Sequence, residues 1–546
     1  MEAASLPNVD TVADHGEVFT RRWVVELILD LCGYTSDKDL ATTRAIEPAC
    51  GSGAFLTAMV ERLVRSARLH GRDLADCDHA LHAVDLLHAN VSASAAAVHR
   101  TLLGAGVDAE TCEHLASAWV TQQDFLLSPP DEESADFVVG NPPYIRLEAV
   151  PPTRSAAYRR ACTTMGGRAD VYVGFYEHGL RALRRDGTLG FICADRWMRN
   201  AYGARLRELI SAEWSAVAII SMTGVDAFED AVDAYPAVTV FRRSTQDTGP
   251  LVIDASERFG PEDAETVAAL LTEPTEHVVT DSFRAARLST WFKGSGGWPH
   301  GSPDRLATIS DIERRLPPLE DVTSGTRVGI GIASGADRVF IVDETIDVEE
   351  ERLLPLALPR DVSSGQVVWS GRQLVNPWDA DGLVDLAEWP RLAAYLGRHR
   401  SLLAARHTAR RGQWHKTIDR VIAGLRERPK LYVPDFKDVV FPVLDDGRTY
   451  PHHNLYWIVS DVWDLEVLGG LLMSDVVNLF LEAYSVRMRG GYLRFQAQYL
   501  RRIRVPASDA VDTASADALR DAFRVRDRAA ATRAALPLYG LDAVPA

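Results

Sequence analysis

The sequence has few cysteines, no long apolar run and a deficit of positive charge. Its six cysteines, Cys32, Cys50, Cys77, Cys112, Cys162 and Cys193, form no CxxC pair, and none lies beyond Cys193. Zinc ribbons and disulfide frameworks are therefore not expected, and no metal site is predicted. The most apolar stretch, Trp463 to Tyr484, is interrupted by Asp464, Glu466 and Asp475. A membrane span needs about 18 or more apolar residues in succession, so none is expected. The first residues carry no basic segment followed by an apolar one, so no secretory leader is expected and a reducing cytoplasm is the anticipated compartment. With 546 residues, 47% hydrophobic and 25% charged, the chain has the balance of a globular protein of several domains.

The formal net charge of −17 argues by itself against a polyanionic partner. The distribution argues otherwise. Between Val225 and Ala286 there are 13 acidic and 4 basic residues, whereas Arg391 to Lys437 holds 12 Lys/Arg against 3 acids. From Arg487 to Arg504 there are six arginines and no acid. An acidic region followed by two basic stretches leaves nucleic acid open as a partner.

Apolar runs that read as strands recur near residues 46, 83, 120, 138, 190, 219 and 239, with helical patterns between most of them. That alternation predicts an α/β domain with a doubly wound, largely parallel sheet over residues 12–245. Thr20 stands where a helix N-cap is expected, ahead of an apolar helical pattern running to Leu31. Residues 246–320 are acidic and rich in Gly and Pro, and read as a connector. Residues 321–510 mix short strands with helices and read as a second, α+β domain; 511–546 reads as an exposed helical tail.

The chemistry-bearing residues fall at the predicted strand ends. Glu47 precedes a turn containing Gly51 and Gly53 that opens a helix, where backbone N–H groups are free to meet a ligand. Asp85 ends the next strand, where an acid can accept hydrogen bonds from ribose hydroxyls; Asp78 is a rival for that place. Asp124 and Phe125 follow the strand after it and suit an amino-bearing heterocycle. The third glycine of a dinucleotide fingerprint is missing, which disfavours a nicotinamide cofactor. Asn141-Pro142-Pro143-Tyr144 comes directly after an apolar strand. Two prolines stiffen the backbone and remove two N–H donors. What remains is an acceptor pair, the Asn141 side chain and the Pro142 carbonyl, beside the aromatic plane of Tyr144: a setting for a flat molecule with an amino group.

In this order the segments FT, EPACGSGAFL, DF and NPPY resemble the gamma-class adenine-N6 DNA methyltransferases of restriction–modification systems, the TaqI type. The later segments GIGIASGADRVFIV, KLYVPDF, HHNLYWIV and GGYLRFQAQYLRRIRVP resemble parts of that family's target-recognition domain. The resemblance implies a Rossmann-like S-adenosylmethionine-dependent domain followed by a recognition domain. It implies that Thr20, Glu47, Gly51, Gly53, Asp85, Asp124 and Phe125 hold the cofactor. It further implies that Asn141 and Pro142 hold the target amino group, and that Tyr144 and Phe228 contact a flipped-out base. Duplex DNA is the implied partner, with Arg487, Arg489, Arg494, Arg501 and Arg502 as candidate contacts, alongside a cognate restriction endonuclease. Methylation of RNA or of protein glutamine stays open, as does a non-catalytic DNA-binding subunit. Cytosine-N4 stays open beside adenine, because both targets are amino groups.

Overall fold

In the computed structural model the chain divides into two compact units, Met1–Ala307 and Thr308–Ala546. The structure describes residues 18–545 apart from 230–234, 245–248, 272–276, 322, 324, 344–345, 438, 486–492 and 495.

The first unit is built on one ten-stranded sheet. Its strands are β1 (Ala45–Glu47), β2 (Leu81–Asp85), β3 (Val120–Gln122), β4 (Ala135–Gly140), β5 (Leu183–Ala194), β6 (Ser215–Ser221), β7 (Pro236–Arg242), β8 (Leu251–Ala255), β9 (Val278–Val279) and β10 (Phe283–Arg287). They lie in the order β3-β2-β1-β4-β5-β7-β6-β8-β10-β9. Strands β3 to β5 run parallel, and β7 is antiparallel to both its neighbours. The helices that matter for the site are α1 (Arg22–Cys32), α2 (Ala54–His70), α3 (His88–Gly104), α4 (Ala109–Trp119), α5 (Pro152–Ala161) and α6 (Tyr172–Ala182). Alternate residues of each central strand enter opposite cores, as the two-residue period of a strand requires. Ala45, Ala83, Phe137 and Val139 join one layer with α1 and α2. Ile46, Val84 and Val138 join the other, with α6. This is the doubly wound, largely parallel arrangement expected from the sequence.

The strand order reverses between β1 and β4. In a doubly wound sheet the crevice at that reversal, beyond the C-terminal strand ends, is where a ligand fits.

The segment 246–320, expected to be a connector, completes the sheet instead. Strand β8 pairs parallel with β6, β10 pairs with β8, and β9 pairs with β10. The acids dominate the composition there, but the short apolar core of β8, Leu251, Val252 and Ile253, is buried. Burial of that core outweighs the polar turns around it.

The second unit holds two four-stranded sheets. One consists of Arg327–Ile330, Leu455–Val459, Lys430–Pro434 and Val443–Asp445, all antiparallel. The other consists of Ile341–Val342, Gln373–Val375, Leu353–Ala357 and Tyr450–Pro451. The expected helical tail is not an exposed cap. In the helix Thr513–Val525, Leu519, Ala522 and Phe523 are buried. Gly470 of the helix Leu465–Met473 lies so near it that a Cβ would stand 2.3 Å from the Leu519 carbonyl oxygen. Among the described residues, no single helix is long and apolar enough to cross a membrane.

Candidate active site

A cavity of about 430 Å³ opens at the sheet's reversal point, lined by Thr20, Glu47, Gly51, Asp85, Asp124, Phe125 and Asn141 among others. Strand order sets the sequence of functional groups along it. Asp124 follows β3, Asp85 ends β2, Glu47 ends β1 and Asn141 follows β4. Neighbouring strands lie about 4.8 Å apart, so these four groups form a row along the carboxyl edge of the sheet.

The glycine turn is held by the row itself. Gly51 and Gly53 adopt positive φ values of 51° and 94°, which glycine reaches without the Cβ penalty. The Gly51 N–H donates to Asp85 Oδ2 at 2.9 Å. Asp85 Oδ1 accepts from the Leu87 N–H at 2.9 Å and from Asn90 Nδ2 at 3.1 Å. Asp85 thus braces the turn and still presents a carboxylate edge to the cavity. Its rival Asp78 is 60% exposed beside His79 and does not line the cavity. Gly53 initiates α2 and does not line the cavity either.

Glu47 is 2% exposed, and one of its carboxylate oxygens finds no hydrogen-bond partner among the described residues. Burial, reinforced by the nearby Asp85, pushes its pKa well above the ordinary carboxyl range. At the other end of the row, Asp124 accepts from the Tyr158 hydroxyl at 2.9 Å and the Leu126 N–H at 3.1 Å. Burial raises its pKa too. Phe125 is stacked on Phe175 with ring centroids 5.3 Å apart and planes 18° apart. Tyr158 and Arg154 come from α5, which contributes to the cavity wall and was not singled out from the sequence. Their i, i+4 spacing was the available signal.

These residues fit S-adenosylmethionine by their chemistry. A buried acid lacking a partner suits an aliphatic ammonium. A carboxylate edge suits ribose hydroxyls. An aromatic wall beside a second acid suits an aminopurine. Cys50 also lines the cavity, but burial pushes its thiol pKa up, so it is no thiolate nucleophile.

The Asn141 side chain has one defined orientation. Its Nδ2 donates to the Val18 carbonyl at 2.8 Å and to Thr20 Oγ1 at 3.1 Å. A carbonyl only accepts, so the amide nitrogen must face Val18, and the oxygen faces away. That oxygen, Oδ1, is buried and has no partner among the described residues. Thr20 is therefore not the helix cap expected from the sequence. Helix α1 begins at Arg22, with Arg21 as its cap residue and no side-chain cap. The Thr20 hydroxyl is taken by Asn141 instead.

Tyr144 stands outside the cavity lining. Its hydroxyl donates to the Ile192 carbonyl at 3.4 Å, and burial pushes its pKa up. Its ring meets Phe228 at 6.3 Å and 88°, and Tyr172 at 6.3 Å and 76°, both edge-on. Phe228 reaches this place because residues 227–229 pair with 19–21. The Arg21 N–H donates to Ala227 at 3.0 Å and the Glu229 N–H to Phe19 at 2.9 Å, with Thr20 bridged to Phe228. Tyr172 was also missed by sequence reasoning. Its hydroxyl and that of Tyr202 both donate to the buried Asp170, at 2.9 and 2.7 Å.

Of the five candidate DNA-contacting arginines, Arg487 and Arg489 lie outside the described residues, as does the side chain of Arg494. The other two are engaged within the second unit. Arg501 Nη2 donates to the Val328 carbonyl at 3.0 Å, and its Nε pairs with Glu320 at 3.1 Å. Arg502 pairs with Glu313 at 3.3 Å and lies over the Tyr484 ring at 4.1 Å. These contacts tie both side chains within the second unit. Among the described residues no cluster of His, Cys, Asp or Glu is disposed to hold a metal ion.

Comparison with known proteins gives a consistent set of likenesses. The family model described as Eco57I restriction-modification methylase matches residues 101–228. The Type II methyltransferase M.PaeR7I of Pseudomonas aeruginosa is 43% identical over 534 residues, covering 96% of this chain and 92% of that protein. The Type II methyltransferase M.XhoI of Xanthomonas vasicola is 42% identical over 537 residues, covering 97% and 98%. Among solved structures, the Type IIL restriction-modification enzyme MmeI in complex with DNA shares the fold at a TM-score of 0.51. It is 12% identical and is matched over 96% of this chain and 74% of that one.

Proposed function

The chain belongs to the Type II DNA methyltransferases of restriction–modification systems, and on that premise we propose that it methylates N6 of an adenine flipped out of duplex DNA at a specific site. Methyltransferases of this class use S-adenosylmethionine, which when bound supplies an electrophilic methyl group.

One observation carries the reading: Asn141 Oδ1, a buried acceptor without a partner among the described residues, stands at the end of the row of cofactor-type groups. The exocyclic nitrogen of adenine is a poor nucleophile, because its lone pair is delocalised into the ring. Asn141 Oδ1 accepts one of its hydrogens and the Pro142 carbonyl the other, which favours a pyramidal nitrogen with its lone pair freed. Transfer is then a direct in-line displacement that depends on positioning and electrostatics. No covalent intermediate on the protein is required, in keeping with a buried Cys50 whose thiol stays protonated.

Inside a duplex the amino group is out of reach, so the base leaves the stack at a cost of a few kcal/mol. The Tyr144 face offsets part of that cost. With its ring perpendicular to Tyr144, Phe228 meets such a base edge-on. The choice of adenine over cytosine-N4 rests on the resemblance of NPPY to the gamma class. The second unit serves as the target-recognition domain, and a cognate restriction endonuclease is the expected partner in the same system.

Nucleoside mass spectrometry tests the proposal. Unmethylated genomic DNA incubated with the protein and S-adenosylmethionine is expected to yield N6-methyladenine. N4-methylcytosine alone would overturn the base assignment and keep the mechanism. Methylated RNA or glutamine, with DNA untouched, would overturn the substrate.

A further inference from the structure

We propose that Thr20 is a positioning residue for the methyl transfer, acting through Asn141, and is not primarily a cofactor contact. The inference rests on the reading that Asn141 Oδ1 accepts the target amino group. A side-chain amide can turn about its last bond and exchange its oxygen and nitrogen. Only one orientation offers the target an acceptor; the reverse would present N–H groups to an amino group that itself donates. The Val18 carbonyl at 2.8 Å selects the productive orientation, because it can only accept, and Thr20 Oγ1 at 3.1 Å takes the second amide hydrogen and holds the amide plane in place. They use both hydrogens of the amide, so turning it over would set the Val18 carbonyl against an oxygen, and removing the Thr20 hydroxyl would leave the amide held by one bond. Thr20 is 4% exposed, so water cannot readily take the place of its hydroxyl.

The same three-residue segment is tied to the other side of the site. Phe19 and Arg21 are hydrogen-bonded to the backbone of 227–229, and Thr20 is bridged to Phe228. Val18, Phe19 and Thr20 also line the cofactor cavity. The segment is thus a strap that sets the Asn141 amide and the Phe228 ring from one stretch of backbone. Thr20 is its only hydroxyl-bearing member, and among the described residues the only one whose side chain is hydrogen-bonded to Asn141.

The test separates kcat from cofactor affinity in Thr20→Val and Thr20→Ser, with Asn141→Ala as reference. S-adenosylmethionine binding is measured by calorimetry on the full chain, which also reports folding. Thr20→Val keeps the side-chain shape and removes the acceptor. Its kcat is expected to fall about 10- to 100-fold, with cofactor affinity within about twofold of wild type. Thr20→Ser keeps the acceptor and is expected to restore kcat to within about threefold of wild type. If Thr20→Val does not fold, Thr20→Ala carries the same expectation. A variant that loses cofactor affinity about tenfold with kcat intact would make Thr20 a cofactor contact and overturn the proposal. Wild-type kcat in Thr20→Val, with Asn141→Ala inactive, would overturn the positioning role alone. An active Asn141→Ala would instead overturn the underlying assignment of Asn141.

Discussion

Two pairs of buried polar groups, one member of each pair in each unit, are treated in opposite ways. Glu47 ends a strand of the first unit and Asp445 a strand of the second, exposed by 2% and 1%. Asp445 is saturated: it accepts from Lys430 Nζ at 2.7 Å, from the Arg448 and Thr449 N–H groups, and from the Thr449 hydroxyl. Glu47 keeps an oxygen without a partner among the described residues. The asparagines repeat the contrast. Asn478 uses both ends, accepting from the Val440 N–H at 3.1 Å and donating to the Ser474 carbonyl at 2.9 Å. Asn141 uses only its nitrogen. An unpaired buried polar group is costly, so native interiors pair theirs. In these four groups the saturated pair serves architecture, and the unsaturated pair, both lining the cavity, stands where a ligand would complete the bonding.

The largest effect is expected where a saturated pair is broken. Lys430 is wholly buried and also donates to the Arg426 and Arg428 carbonyls at 3.0 and 2.7 Å. Lys430→Met leaves the Asp445 charge buried without its counter-ion, at a cost of about 3–5 kcal/mol. Urea denaturation should show that loss, while S-adenosylmethionine affinity, a property of the first unit, stays near wild type. A stable Lys430→Met protein would mean that saturation is not what holds this part of the second unit.

A smaller effect sharpens the distinction for surface charge. Arg502 is about one-third exposed, at 32%, beside Glu313 and over Tyr484. Arg502→Met is expected to cost about 1 kcal/mol of stability, since the pair is partly screened. DNA affinity and its salt dependence should not change. A fall of about one in the salt slope would place Arg502 at a phosphate and break the assignment of its charge to architecture.

What was legible in the sequence follows the same line. The sheet and the strand-end acids could be read because a strand's period and a glycine turn are local patterns. NPPY could be read because two prolines and an aromatic constrain their own backbone. Thr20 was misread as a cap because its true partner, Asn141, lies 121 residues away. The pairing of Arg502 with Glu313 was not legible, because the two lie 189 residues apart. The acidic stretch passed for a connector because β8 pairs with both β6 and β10, a relation that composition does not carry. The Thr20 cap and the connector were misread because distant partners decide both. The unsaturated groups were found because their chemistry lies in the motif itself.

Glu47 gives the smallest and most discriminating test, because the comparison predicts that removing its charge helps the empty protein and harms the loaded one. Burial, with Asp85 nearby, holds its folded-state pKa above the ordinary 4.5. The folded protein therefore binds the Glu47 proton more tightly than the unfolded chain does. The stability this contributes is full below about pH 4.5 and is lost as pH rises through the raised folded value. Glu47→Gln keeps the shape and cannot titrate. Without cofactor its melting temperature should exceed that of wild type by a margin that grows with pH above about 4.5. With cofactor the order reverses. An ammonium beside Glu47 favours the ionised carboxylate, so wild-type affinity for S-adenosylmethionine should rise with pH across the same window as binding releases a proton. The Gln variant should bind more weakly and with little dependence on pH. Parallel pH profiles for the two proteins, in melting and in binding, would mean that Glu47 is an ordinary core residue and that its lack of a partner marks nothing.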